Sequence, residues 1–297
     1  MPEIIVGAHA AMPLEREDQE SFYAGLAERN LATALEIPVS DSIHEDPAWF
    51  ASQVRGRFRR GVVTALPGTM KRLSEEPTFG LASTDAGGRR AAVEWVTGVR
   101  RAAEELNQQT GEETVSFVHV HSAPGVRASA EAFQRSLTDL EADDGFRAEV
   151  VIEHCDAYSP IFPGDKRFLS LITELAVADE CGFAINWGSS ALEWQNPNRP
   201  RQHVEILAEA GRLRGLIFSG VAAVDTRWGR AWADLQLPLS TDEPASLMTP
   251  RRVTECLDLA GDQVAYLGAR VKAPANADVE ARLGLVASVV DLLKPRD

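Results

Sequence analysis

The feature that most constrains this chain is an eightfold alternation along its length. A short apolar run, often β-branched, gives way to a polar loop and then to a longer stretch in which apolar residues recur every three or four positions. The apolar runs lie at 3 to 9 (EIIVGAH), 33 to 39 (TALEIPV), 61 to 66 (GVVTAL), 115 to 121 (VSFVHVH), 148 to 154 (AEVVIEH), 183 to 187 (FAINW), 215 to 219 (GLIFS) and 264 to 270 (VAYLGAR). Their shortness and apolar content suit parallel strands buried on both faces. Helical spacing occupies 17 to 29, 47 to 56, 86 to 108, 128 to 141, 165 to 180, 200 to 213, 250 to 260 and 277 to 293. Thr249 before Pro250 has the form of a helix start, because the hydroxyl can cap and a proline in the first turn gives up no needed hydrogen bond. Eight β-then-α units in 297 residues predict a single-domain (β/α)8 TIM barrel over 1 to 297, with no linker or low-complexity run. No G-x-G-x-x-G turn follows the first run, which argues against an open doubly wound sheet.

Two connections are longer than a barrel needs, 67 to 85 and 220 to 249. The second, after the seventh strand, holds Trp228, Trp232, Leu235 and Leu237, too much apolar surface to leave in water. It is expected to fold over the barrel mouth as a lid or to serve a subunit interface, which leaves a homo-oligomer open.

Charge narrows the choice of partner. Lys and Arg number 30 against 44 Asp and Glu, a net charge of −14 that repels phosphate backbones and anionic lipid. Neither nucleic acid nor membrane is expected as a partner. Cys155, Cys181 and Cys256 are odd in number and far apart, suggesting neither a disulfide framework nor a zinc knot, so a reducing cytoplasm is the expected compartment. Met1-Pro2-Glu3 runs straight into Ile4-Ile5-Val6, so export is not expected, and no apolar run nears the ~18 residues of a membrane span.

In such a barrel the chemistry gathers at the C-terminal ends of the strands. There the sequence places His9, Glu36, Asp41, His44, His119, His121, Glu153, Asn186, Ser219, Arg270 and Lys272. His119 and His121 are two apart in a strand and therefore project to one side, where a core histidine bonded to a carbonyl is the plainer alternative to a site role. Glu153 ends an apolar strand and must be paired with a cation, a metal or several hydrogen bonds. His154 and Asp156 alternate with it, and Cys155 reads as a packed thiol.

At these residues the chain resembles the xylose isomerase-like barrel superfamily, which includes sugar phosphate isomerases and epimerases and the apurinic endonucleases of the same fold. ALEIPV at 34 to 39, LASTDAGGRRAAVEWVTGVRRAAEEL at 81 to 106, HVHSAPG at 119 to 125, VVIEHCDA at 150 to 157 and FAINWGSS at 183 to 190 carry the likeness in order and spacing. The resemblance implies a branch of unknown function, and it implies one divalent metal held by carboxylates and a histidine. Carried over position by position, Glu153 matches a ligand, Asn186 stands for an aspartate, Ser219 stands near a seventh-strand ligand, and Arg270 and Lys272 stand where a glutamate belongs. The candidate ligands are Glu153, His119 and His121, with Asp225 or Asp234 of the long loop in reserve. This set would favour Zn²⁺ or Mn²⁺ over Mg²⁺, or no metal at all.

The function implied is an isomerase or epimerase that moves a proton next to a carbonyl in a small sugar, sugar phosphate or sugar acid. Glu153, His119 and His121 are then the catalytic candidates, and His9, Glu36, Asn186, Arg270 and Lys272 the substrate-binding ones. Arg270 and Lys272 could stabilise an anion or simply neutralise Glu153, and a Schiff base on Lys272 is a minor option. The alternative is a non-catalytic carbohydrate-binding barrel with a degenerate metal site. An endonuclease fits least, given the charge.

Overall fold

A computed structural model of the chain describes residues 1–294 other than 144 and 163, so the last three residues of the expected domain lie outside the described residues. Eight parallel strands close into a barrel in chain order: β1 Glu3–Val6, β2 Ala34–Pro38, β3 Gly61–Thr64, β4 Val115–Val120, β5 Glu149–His154, β6 Gly182–Asn186, β7 Leu213–Phe218 and β8 Tyr266–Ala269. The ring closes where β8 pairs with β1, Gly268 opposite Ile5. The helices are α1 Ala8–Ala11, α2 Arg16–Glu28, α3 Pro47–Val54, α4 Leu66–Glu75, α5 Ala86–Thr110, α6 Ala130–Glu141, α7 Leu171–Val177, α8 Trp187–Leu192, α9 Arg199–Glu209, α10 Pro250–Ala260 and α11 Val279–Leu293. Among the described residues no helix is long and apolar enough to cross a membrane.

The expected strands are all present within a few residues of their predicted ends. Thr249 caps α10 as its hydroxyl accepts from the Arg252 amide at 3.3 Å, with Pro250 opening the helix. The 67 to 85 segment is a correction, since much of it is α4. Its Pro67-Gly68 pair reads as a turn, but the proline occupies the first turn of the helix, where its missing N–H costs nothing. Gly68 packs so closely that a Cβ there would lie 2.2 Å from the Trp95 ring. A second correction concerns 165 to 180, where helix forms only over Leu171–Val177.

The alternation of side chains along each strand builds the site. Ile5, Ala34, Val62, Phe117, Val151, Ala184 and Tyr266 form an apolar plug inside the barrel. Two residues further along each strand the next inward position falls at Gly7, Glu36, Thr64, His119, Glu153 and Asn186, so a polar layer sits directly on the apolar plug. Helices cover the outer faces, and the main core lies between them and the strands.

The 220 to 249 segment is folded onto the barrel. Gly220 and Leu237 form an antiparallel bridge, and Ala222, Leu235 and Leu237 make a small core with Trp228 against it. Trp232 packs on the main core, and the Lys272 amide donates to the Gln236 carbonyl at 2.7 Å, tying the loop to the end of β8.

Candidate active site

The polar layer converges on one guanidinium. Arg270, just past β8, donates from Nε to Glu36 Oε2 at 2.6 Å and from Nη2 both to Glu36 Oε1 and, at 2.9 Å, to Glu153 Oε1. Glu153 Oε2 then accepts from His121 Nε2 at 2.9 Å and from the Thr64 hydroxyl at 3.4 Å, with His119 Nδ1 at 3.6 Å. On its other side His119 Nε2 meets the Tyr266 hydroxyl at 2.6 Å. All of these side chains are buried, Arg270 keeping 4% of its surface and Glu153 1%.

Burial this complete requires the charges to answer one another. Burial alone would raise the Glu153 carboxyl, but Arg270 and the two imidazoles outweigh it and hold the group well below the usual carboxylate range. Burial opposes the charge on Arg270 as well, and Glu36 and Glu153 more than restore it. His121 is pushed below its usual 6.5 by loss of hydration, against the pull of Glu153. His119 Nδ1 and His121 Nδ1 have no hydrogen-bond partner although both are buried.

A cavity of about 180 Å³ opens beside this layer, lined by His9, Glu36, Tyr23, His44, Phe50 and neighbours. No Lys or Arg is among its lining residues. His9 sits in α1 rather than on the first strand, exposed to the cleft yet crowded by protein atoms. That lost hydration is the largest influence on its ring and lowers its pKa below 6.5, with Glu36 opposing. His44 stacks on Phe50, ring centres 5.3 Å apart, and its Nδ1 accepts from the Asp46 amide.

Asn186 and Ser219 have local partners. Asn186 Oδ1 caps α8, accepting from the Ser189 amide at 3.1 Å and from the Ser219 hydroxyl at 2.7 Å. The Lys272 side chain is half-buried, with no side-chain partner among the described residues. Asp41 pairs with Lys71 on the surface, and Asp225 accepts from the Ala231 amide within the long loop. Asp234 leans in instead, bonding Lys166 at 2.5 Å, close enough to feel both Arg270 and Glu153. Cys155 packs with Leu66, Ala123 and Phe168, and burial drives its thiol far above the normal range.

Sequence reasoning missed Thr64, Tyr266 and Lys166. Tyr266 left a usable signal, since a tyrosine inside a buried strand needs a partner for its hydroxyl. Gly215 makes room for it, as a Cβ there would lie 1.9 Å from the ring.

Glu36, His119 and Glu153 bring one ligand atom each within 4.8 Å of one another, and so do His154, Glu193 and His203 on the outer side of β5. Groups of this kind could hold a metal, but the mouth set as folded does not fit one. Both of its carboxylates are spanned by Arg270, and His119, whose Nε2 meets Tyr266, offers this set one unengaged atom, Nδ1, 3.6 Å from Glu153 Oε2.

Three comparisons place the chain among known proteins. Solved structures of the same fold include sugar epimerases and an AP endonuclease. A xylose isomerase domain containing protein from Salmonella typhimurium superposes with TM-score 0.64 at 12% identity, covering 98% of this chain and 97% of that one. The 3-keto-D-glucoside 4-epimerase of E. coli gives TM-score 0.55 at 11% identity, covering 97% and 99%. Identities this low show a shared (β/α)8 barrel fold and nothing finer. Uncharacterized protein STM3670 of Salmonella typhimurium is 31% identical over 306 residues, 98% of this chain and 96% of its own length. Residues 5–285 match the domain of unknown function DUF4862, and the chain belongs to that family.

Proposed function

We propose that the chain is an isomerase or epimerase that moves a proton next to the carbonyl of a small sugar-like molecule bound at the barrel mouth. The observation that carries this reading is the fixed guanidinium of Arg270, clamped between Glu36 and Glu153 beside the cavity that Glu36 and His9 line. Proton abstraction next to a carbonyl builds negative charge on its oxygen, and in this reading Arg270, held behind the Glu36 side chain that lines the cavity, is the pre-oriented cation that stabilises the charge. The proton itself needs a group near neutrality within reach. His9 lines the cavity, and its lowered pKa leaves the ring neutral and able to accept at pH 7. In this reading Glu153 holds the guanidinium, and His121 and His119 orient Glu153. The sugar epimerase among the structural neighbours supports the class of reaction, not the substrate.

The test is solvent deuterium exchange into a panel of aldoses, ketoses, sugar phosphates and sugar acids, followed by NMR. The wild type should label at least one member at a carbon next to the carbonyl, and His9→Asn should slow that labelling by about 100-fold or more. Labelling unchanged in His9→Asn would remove His9 from the chemistry. The complete engagement of Glu153 favours a second reading, a carbohydrate-binding barrel without catalysis, which would show saturable binding and no exchange.

A further inference from the structure

We propose that Arg270 is the resident cation of the barrel mouth, occupying the space between Glu36 and Glu153 that a divalent ion would need, so that the site works without a metal there. Every carboxylate oxygen that could reach an ion is already used, and the buried Nδ1 atoms of His119 and His121 are the local donors left without a partner. Both Glu36 oxygens accept from Arg270, Glu153 Oε1 accepts from it too, and Glu153 Oε2 accepts from His121 and Thr64. An ion entering this set would either displace the guanidinium and leave it buried without a partner, or lie against it as a second positive charge.

The seat is also built for the guanidinium. Gly7, the residue after β1, lies against it, and a Cβ there would come within 2.8 Å of Glu36 Oε2 and 2.9 Å of Arg270 Cγ. Its backbone angles are ordinary, so the missing side chain answers a need for space, not for an unusual conformation. Two carboxylates against one guanidinium hold the fork in a single orientation, as a metal's ligand shell would hold an ion. Among the described residues Nη1 alone of the three guanidinium nitrogens has no protein partner. That leaves the two N–H donors of Nη1 for a ligand oxygen carrying partial or developing negative charge. The inference rests on the mouth being the ligand site, as in the proposed function, but not on the reaction performed there.

Metal binding tests it without any substrate. The full chain, stripped with a chelator and dialysed, is titrated with Mn²⁺ under electron paramagnetic resonance and with Zn²⁺ by elemental analysis after gel filtration. No stoichiometric uptake is expected at the mouth, and an equivalent that survives Glu153→Gln lies elsewhere and leaves the proposal standing. Arg270→Glu, which removes the cation and adds a carboxylate, should bind Mn²⁺ about tenfold or more tightly than the wild type. One equivalent in the wild type that Glu153→Gln abolishes would overturn the proposal, as would a folded Arg270→Glu that gains no affinity. If Arg270→Glu does not fold, Arg270→Gln serves the same purpose with a smaller expected gain, and the wild-type titration decides by itself. Absence of deuterium exchange would sink the proposed reaction and leave this metal result untouched.

Discussion

Glu153 and His154 are neighbours on β5, yet they point to opposite sides of the strand and end in two different buried clusters. Inside the barrel, Glu36 and Glu153 share one guanidinium, two imidazole nitrogens are left without partners, and a cavity lies alongside. Outside, His154 donates to Glu174 at 2.6 Å and meets Glu193 at 3.2 Å, and Arg199 binds Glu193 through two nitrogens. The Ala157 amide and His203 close around the same carboxylate, and Ser190 holds the other nitrogen of His203. Two carboxylates there face two cations, because burial, which would strip the proton from His154, is outweighed by Glu174 and Glu193, raising the ring to about 10. The outer cluster is balanced in charge and has one imidazole nitrogen, His203 Nε2, without a hydrogen bond, whereas the inner one has two and borders the cavity that His9 and Glu36 line. Similar residue types thus sit on both sides of one strand; the proposed function assigns cohesion to the outer cluster and ligand chemistry to the inner one, and the difference lies in the cavity beside the inner one.

The largest expected effect falls on the outer cluster. Glu193→Ala leaves His154, Arg199 and the Ala157 amide without their shared acceptor, and should cost about 3–5 kcal/mol in chemical denaturation. A loss under about 1 kcal/mol would mean the cluster is not holding α7, α8 and α9 to the barrel. The same cluster sets a pH dependence. His154 binds its proton more tightly in the fold than at its ordinary 6.5, so its contribution is complete below about pH 6.5 and is lost as pH rises toward 10. Denaturation at pH 7 and pH 10 should therefore show a decline that His154→Gln lacks, and equal declines in both proteins would contradict it.

A smaller effect is expected at the mouth, where Gly7→Ala forces a methyl against Glu36 and Arg270. Overpacking of this kind costs about 1–3 kcal/mol, and here it should also weaken sugar binding, because the guanidinium must shift. Wild-type binding in Gly7→Ala would separate the ion pair from the ligand site. The smallest effect belongs to Asn186→Ala, which loses the cap of α8 and the acceptor of Ser219. If the cap is its main role, about 1 kcal/mol of stability should go with deuterium exchange unchanged, whereas a large fall in exchange would make Asn186 the ligand contact that the sequence suggests.

The eight strands could be read from the sequence because buried parallel strands are nearly continuous apolar runs, and the Thr249-Pro250 start because its chemistry is local. The inward direction of Glu36, His119, His121 and Glu153 followed from period-two alternation once a barrel was assumed. Other features depend on tertiary packing and leave little local trace. Nothing near Arg270 in sequence announces Glu36, 234 residues away. Glu174 and Glu193 sit in short, mostly apolar stretches with no motif around them, and only their convergence on His154 gives them meaning. Helix α4 was hidden by a Pro-Gly pair, and α8 by its brevity and small residues.

The division of labour between the two clusters is tested most directly by comparing Glu153→Gln with Glu193→Gln in one pair of assays, denaturant stability and deuterium exchange per folded molecule. Glu153→Gln should keep stability to within about 1–2 kcal/mol and lose exchange by about 100-fold or more, while Glu193→Gln should lose stability and keep exchange. Exchange that survives in Glu153→Gln, or vanishes in a stably folded Glu193→Gln, would contradict the assignment of chemistry to the inner cluster and cohesion to the outer one.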